Sequence, residues 1–159
     1  MNKLLIAAVA LALPGAVSAQ MMTGKQYVTK AGASDQYEIQ SSRLVLNSTR
    51  NGEIRRYAQD MIRDHQQSTA DVKRAARQGR VMAGPPHLDA MGARNIAQLN
   101  RARGPARDAL YIQQQKKSHQ MALDLQQNYA RDGRVMPLKM AATKIVPVVQ
   151  HHVDMLQHM

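Results

Sequence analysis

The 159-residue sequence contains no cysteine, no tryptophan and no phenylalanine, and tyrosine is its only aromatic residue. The absence of cysteine excludes a disulfide scaffold, a zinc ribbon, an iron–sulfur cluster and thiol catalysis. Aromatic residues make up 3% of the chain and methionine occurs 11 times, so a core must be filled by aliphatic side chains and flexible methionine. Few β-branched and aromatic residues argue against a sheet, whereas the 44% hydrophobic content is ordinary for a globular domain.

Residues 1–19 have the pattern of a secretory signal peptide. Lys3 provides the positive start, residues 4–13 form an unbroken apolar run, and Val17-Ser18-Ala19 is a small-residue cleavage site. The run is shorter than the ~20 residues that a transmembrane helix needs, and no later stretch is apolar enough to span a bilayer. We expect an exported protein, in the periplasm or associated with the outer membrane, with a mature chain that starts at Gln20. The alternative is an uncleaved N-terminal anchor.

The charge balance is strongly basic, with 22 Lys and Arg against 11 acidic residues and a formal net charge of +11. Outside the cytoplasm, such a surface favours anionic lipid head groups, lipopolysaccharide or acidic polymers as partners. No aromatic residues alternate with the basic ones as base-stacking platforms, so we expect no nucleic-acid partner. Because the basic residues are scattered along the chain, ordinary solvated helix faces are the simpler explanation of the charge.

Glycine and proline divide the remaining chain into five helical segments. The breaks fall at Asn51-Gly52, Gly84-Pro85-Pro86, Gly104-Pro105 and Asp132-Gly133. The predicted helices cover residues 25–49, 52–78, 87–103, 106–131 and 137 to the C-terminus. Four helices of ~25 residues, each ~38 Å long, have the proportions of a four-helix bundle. We therefore predict an all-α bundle over residues 24–159, with the short third helix in the crossover between two helical hairpins.

Each long helix carries one ionisable residue on its apolar stripe. In the last helix, Ile145 and His152 are seven residues apart, and Val148 and Met155 fall on the same stripe. The inward ionisable residues predicted in this way are Glu38, His65, His119 and His152. Counted from the helix ends, the two members of each hairpin differ in height by ~3 Å and ~4.5 Å. We therefore expect all four to meet at one level of the bundle.

Three imidazoles and a carboxylate at one level form a candidate site for a transition-metal ion such as Zn, Cu, Ni or Fe. The predicted ligands are the four inward residues. Asp64 adjoins His65 but is rotated ~100° around the helix, which suits an outer acceptor for a neighbouring ring or a surface acid paired with Arg63. The inward residues also fit a metal-free cluster held by hydrogen bonds. Buried polar side chains need such partners, because burying them without any would cost several kcal/mol. Both interpretations stay open at this point.

These residues lie within motifs that resemble the domain of unknown function 4142 family. The motifs are Tyr37-Glu38-Ile39, the segment 54–65 that ends in Met61-Ile62-Arg63-Asp64-His65, Tyr111-Ile112 with His119, and Val146-Pro147 followed by His152. The similarity covers about residues 24–157, although Tyr57-Ala58 stands where the family usually has Phe-Ala. The resemblance implies an exported bacterial protein with a ferritin-like helical bundle. It also implies that Glu38, Asp64, His65, His119 and His152 occupy the family's characteristic polar positions.

A ferritin-like fold does not imply ferritin chemistry here. Di-iron bundles place a Glu three residues before a His on two helices, but this sequence has Ile62, Lys116 and Val149 at those positions. The mature chain contains just two glutamates, Glu38 and Glu53. We therefore expect a single metal ion and not a di-iron carboxylate centre. With no nucleophile–base pair and no phosphate loop, a binding protein is favoured over an enzyme. The alternative is a structural or stress-associated envelope protein that binds anionic lipid or polysaccharide.

Overall fold

The computed structural model describes residues 21–159, so the predicted signal peptide lies outside the described residues. Across this part of the chain the structure contains five helices and no strand, which confirms the all-α prediction. The helices are α1 Gly24–Leu46, α2 Gly52–Gln78, α3 Ala90–Arg101, α4 Gly104–Asp132 and α5 Met136–Gln157. None of them combines the length and the apolar character that a membrane span requires.

The helix ends follow local capping chemistry. Helix α2 has the predicted bounds because the Asn51 side chain accepts hydrogen bonds from two backbone N–H groups of its first turn. Helix α3 is shorter than the predicted 87–103 because Asp89 caps it by accepting from the Gly92 N–H, so the helix begins at Ala90. Helix α1 ends three residues before the predicted Thr49, at Leu46. Helices α4 and α5 each begin slightly earlier than predicted, with proline in the first turn.

The long helices form two hairpins that pack side by side. Helix α1 packs along α2, and α4 packs along α5. Contacts between α2 and α5 and between α1 and α4 close the four-helix arrangement, while α3 lies in the crossover against α1 and α4. The result is the predicted ferritin-like four-helix bundle with a short crossover helix.

A polar layer divides the core into two apolar clusters. On α2, Met61 belongs to one cluster and Val72 to the other, with His65 between them. On α4, Ile112 and Leu123 flank His119 in the same way. The four long helices therefore place their inward polar residues at one height, as the spacing predicts. One detail of the predicted stripe is wrong: Val148 is 41% exposed, because the apolar face of α5 is narrower than the sequence pattern suggests.

Candidate metal site

Three histidine rings meet in the centre of the polar layer. His65 on α2, His119 on α4 and His152 on α5 are 4%, 0% and 1% exposed. Their ring centroids are 5.6 Å apart for His65 and His119, 5.7 Å for His65 and His152, and 5.3 Å for His119 and His152. One nitrogen from each ring lies within 4.8 Å of a nitrogen from each of the others. Three different helices thus bring three imidazoles close enough together that one metal ion could bind all three.

Each ring uses one nitrogen in a hydrogen bond and keeps the other free. The bonded pairs are His65 Nδ1 with Asp35 Oδ1 at 2.9 Å, His119 Nδ1 with the Gln115 carbonyl at 3.1 Å, and His152 Nε2 with Asp64 Oδ2 at 3.0 Å. Every partner is an acceptor, so each bonded nitrogen carries a hydrogen. The three remaining nitrogens, His65 Nε2, His119 Nε2 and His152 Nδ1, are buried and have no partner within the described residues. In metal-binding histidines one ring nitrogen likewise binds the metal, while the other donates to an outer acceptor that fixes the orientation of the ring.

Glu38, the fourth predicted ligand, lies beside the three rings. Its fully buried carboxylate accepts hydrogen bonds from the Gln115 amide and, at 2.7 Å, from the Ser118 hydroxyl. The nearest approach to a ring is 3.8 Å, from Glu38 Oε1 to His119 Nδ1, the nitrogen that already donates to the Gln115 carbonyl. The structure therefore brings three of the predicted ligands together, while side chains of α4 hold the carboxylate of the fourth.

Asp64 combines the two roles that the sequence left open. Its carboxylate accepts from His152 and also from the exposed Arg63, with Arg63 Nε 2.9 Å from Asp64 Oδ1. Burial opposes ionisation of Asp64, but these hydrogen bonds lower its pKa below the ordinary value. Asp64 is thus an ionised outer acceptor for one of the rings.

Asp35 is the outer acceptor for His65, a role that was not predicted from the sequence. Asp35 is 3% exposed, and its second carboxylate oxygen accepts from the Thr69 hydroxyl at 2.8 Å. A signal for it exists in the sequence, because Asp35 lies four residues after Ala31 and three before Glu38. That spacing places all three on one helix face.

The electrostatics of the layer leave two rings neutral at neutral pH. Burial and the charge of His65 lower the pKa of His119 to about 3. Burial, with the charges of His65 and His119, lowers the pKa of His152 to about 4. Burial also opposes a charge on His65, but the hydrogen bond and charge of Asp35 outweigh it and raise the pKa of His65. Of the three rings, His65 is therefore the one whose surroundings favour the protonated form.

Comparison with known proteins agrees with this architecture. The fold is similar to a crystal structure described as “putative secreted protein DUF305” from Streptomyces coelicolor, with a TM-score of 0.69 and 14% sequence identity. The similarity covers 84% of this chain and 88% of that one. No curated protein matches the sequence. The family described as “Domain of unknown function (DUF4142)” matches residues 10–159, so the chain belongs to the DUF4142 family.

Proposed function

We propose that this protein is an exported, non-enzymatic envelope protein that binds one transition-metal ion through His65, His119 and His152. The observation that carries the proposal is the set of three buried ring nitrogens that have no hydrogen-bond partner in the described chain. Leaving a buried polar group unpaired costs roughly 1–3 kcal/mol, and a shared metal ion would remove that cost for all three nitrogens at once. Zn, Cu, Ni and Fe all accept imidazole ligands.

Export is the second part of the proposal. It is supported by the signal-peptide pattern of residues 1–19 and by the description of the structurally similar Streptomyces coelicolor protein as secreted. A metal-binding protein outside the cytoplasm would meet ions that are not sequestered by cytoplasmic thiols, and its own lack of cysteine leaves imidazole as its strongest ligand type.

The test is metal analysis of protein purified without a histidine tag, combined with thermal unfolding. We expect one equivalent of metal per chain. At a metal concentration of about 100 times the Kd, binding stabilises the fold by about 2.7 kcal/mol, which raises the Tm by several degrees. Metal-free protein whose Tm does not respond to Zn²⁺, Cu²⁺ or Ni²⁺ would identify the three rings as a metal-free polar layer.

Variants can remove a free nitrogen while keeping the bonded one. In His119→Asn the amide nitrogen takes the place of Nδ1 and still donates to the Gln115 carbonyl, but the lone pair of Nε2 is lost. We expect this variant to fold and to lose the Tm response to metal. The matched control is His151→Asn, since His151 is the exposed neighbour of His152 on α5. Equal metal affinity in both variants would place the bound metal elsewhere.

A second candidate function is binding to an anionic membrane surface, favoured by one end of the bundle. The start of α1 meets the segments that follow α2 and precede α5 at this end. A Cβ atom added to Gly24 would lie 3.0 Å from the side chains of both Val81 and Val135. The next residues are exposed methionines, with Met82 87% and Met136 63% exposed. Exposed basic residues adjoin them, namely Lys25, Arg80 and Arg134. Apolar tips among cations suit an anionic lipid interface.

Vesicle co-sedimentation tests this candidate. We expect binding to vesicles that contain phosphatidylglycerol, weakened by salt because surface charges are screened. The double variant Arg80→Glu/Arg134→Glu should lose binding, whereas Arg50→Glu/Arg56→Glu at the opposite end should retain it. Equal loss in both pairs would mean that net charge alone governs the interaction.

A further inference from the structure

The three-histidine site lacks a fourth ligand from the described chain. Mononuclear Zn sites and similar sites are usually four-coordinate, and sites with three protein ligands complete the set with water or a small molecule. Among residues 21–159, three residues alone contribute a nitrogen or carboxylate oxygen to a group of possible ligand atoms that lie within 4.8 Å of one another. If a protein side chain supplies the fourth ligand, the metal is enclosed. If a small molecule supplies it, the metal can exchange that ligand.

Glu38 is poorly placed to supply it. Both of its carboxylate oxygens accept hydrogen bonds from α4, one from Gln115 and one from Ser118. These donors hold the carboxylate beside α4, and Glu38 does not belong to the group of ligand atoms that lie within 4.8 Å of one another. In addition, its closest ring contact is with Nδ1 of His119, whereas the free nitrogen of that ring is Nε2.

A narrow cleft reaches two of the three rings from the surface. We call it the histidine cleft; it is lined by His65, His152, Asp35, Asp64, Ser68 and Val148, among others. Val148, which is 41% exposed, and Asp64, whose side chain is 24% exposed, mark its mouth between α2 and α5. Its volume is about 10 Å³, close to the space that one water molecule needs.

We infer that the fourth coordination position faces the histidine cleft and is held by an exchangeable ligand of about the size of water, either water itself or a small monovalent anion. A cleft with room for about one water molecule excludes a flat ring such as imidazole, whereas a linear anion such as azide can enter end-on, with one terminal nitrogen at the metal and the rest directed towards the mouth. The carboxylates of Asp35 and Asp64 in the cleft wall disfavour multiply charged anions. This inference rests on the proposed function, and it assigns the site to the open type found in metal sites that bind and exchange small molecules.

The test uses Co²⁺-loaded protein, because the visible absorption of Co²⁺ reports its ligands. We expect azide to change the spectrum saturably and imidazole to leave it unchanged at the same concentration. In Val148→Phe the larger side chain narrows the mouth, so the apparent Kd for azide should rise at least tenfold while the Co²⁺ affinity stays the same. The matched control is Val153→Phe, since Val153 lines a different groove on α5 and its azide response should equal that of the wild type.

Each outcome separates this inference from the proposed function. If Co²⁺ binds but azide leaves the spectrum unchanged, the fourth position is closed and the inference is wrong, although the metal site stands. If Glu38→Gln then alters the Co²⁺ spectrum, Glu38 is the fourth ligand. If azide binds equally to the wild type and to Val148→Phe, the ligand does not pass through the histidine cleft. If Co²⁺ does not bind at all, the proposed function fails first.

Discussion

The two sides of the histidine layer differ in their access to solvent. On the side of α1 and α4, Glu38, Gln115 and His119 are all 0% exposed. The hydroxyl of Tyr57 on α2 donates to the Gln115 side chain. On the side of α2 and α5, Asp64 and Val148 border the histidine cleft and are partly exposed. On the closed side, hydrogen bonds hold the Glu38 carboxylate and Nδ1 of His119, whereas on the open side the histidine cleft leaves room for a small ligand. Buried polar residues therefore hold the layer together on the side of α1 and α4, whereas partly exposed residues border an opening on the side of α2 and α5.

The largest expected effect of breaking the closed side is on stability. Glu38→Ala removes the acceptor for both Gln115 and Ser118 and leaves a cavity, so we expect a loss of about 3 kcal/mol in the free energy of unfolding. Urea denaturation of the metal-free protein measures it. Glu38→Gln keeps the volume and one acceptor oxygen, so it should cost less than half as much.

The control for this prediction is Glu53, the other glutamate of the sequence. Glu53 is exposed in the first turn of α2, and Glu53→Ala should change stability little. If Glu38→Ala were no more destabilising than Glu53→Ala, the hydrogen bonds of the closed side would not hold the layer together.

The second prediction compares Asp35 and Glu38, two buried acids of α1, by metal affinity. Asp35→Asn weakens the acceptor that fixes the His65 ring, so we expect the metal Kd to rise by about 10–100-fold, the usual effect of losing an outer partner of a ligand. Glu38→Gln should change the Kd by much less, because Glu38 does not accept from a ring nitrogen. Isothermal titration with Zn²⁺ measures both. A larger loss in Glu38→Gln than in Asp35→Asn would reverse the assignment of the two carboxylates.

Periodicity explains why much of this arrangement was accessible from the sequence. The stripe of α2 that contains Ile54, Met61, His65 and Val72 is buried as predicted, because hydrophobic burial fixes which helix face points inward. Helix spacing gives the height and the helix face of a residue but not the rotamer of its side chain. For that reason Glu38 was predicted as a ligand, yet its carboxylate is bound by Gln115 and Ser118.

The acceptors were harder to predict than the rings. The spacing of Asp35 from Ala31 and Glu38 places it on the inward stripe, but nothing in the spacing identifies it as the acceptor of the His65 ring. The Gln115 carbonyl is a backbone group, so its role depends on the rotamer of His119, which no sequence pattern encodes. The histidine cleft is a product of packing between four helices, and its mouth exists because Val148 turns outward where the pattern predicted an inward residue.

The third prediction is a pH dependence that distinguishes the two sides of the histidine layer. The folded-state pKa of His152 is about 4, whereas an unfolded histidine titrates near ~6.5. Between these values the unfolded chain binds a proton that the folded chain does not, so stability falls as the pH falls from 6.5 towards 4. From pH 7.5 to pH 5, His152 should contribute a loss of about 2 kcal/mol.

The variant His152→Gln isolates this contribution. Its amide nitrogen replaces Nε2 as donor to Asp64 but takes up no proton. Between pH 7.5 and pH 5 the difference from the wild type therefore reports mainly the titration of His152, since the pKa of Asp64 lies below this range. Relative to the wild type, the metal-free variant should therefore gain about 2 kcal/mol between pH 7.5 and pH 5, measured by urea denaturation with a chelator present. His119→Asn should show the same gain at pH 5. Because the enclosed ring of His119 has its pKa lowered to about 3, its gain should continue below pH 4, where that of His152→Gln levels off. Identical curves down to pH 3 would mean that the two sides enclose their histidines equally.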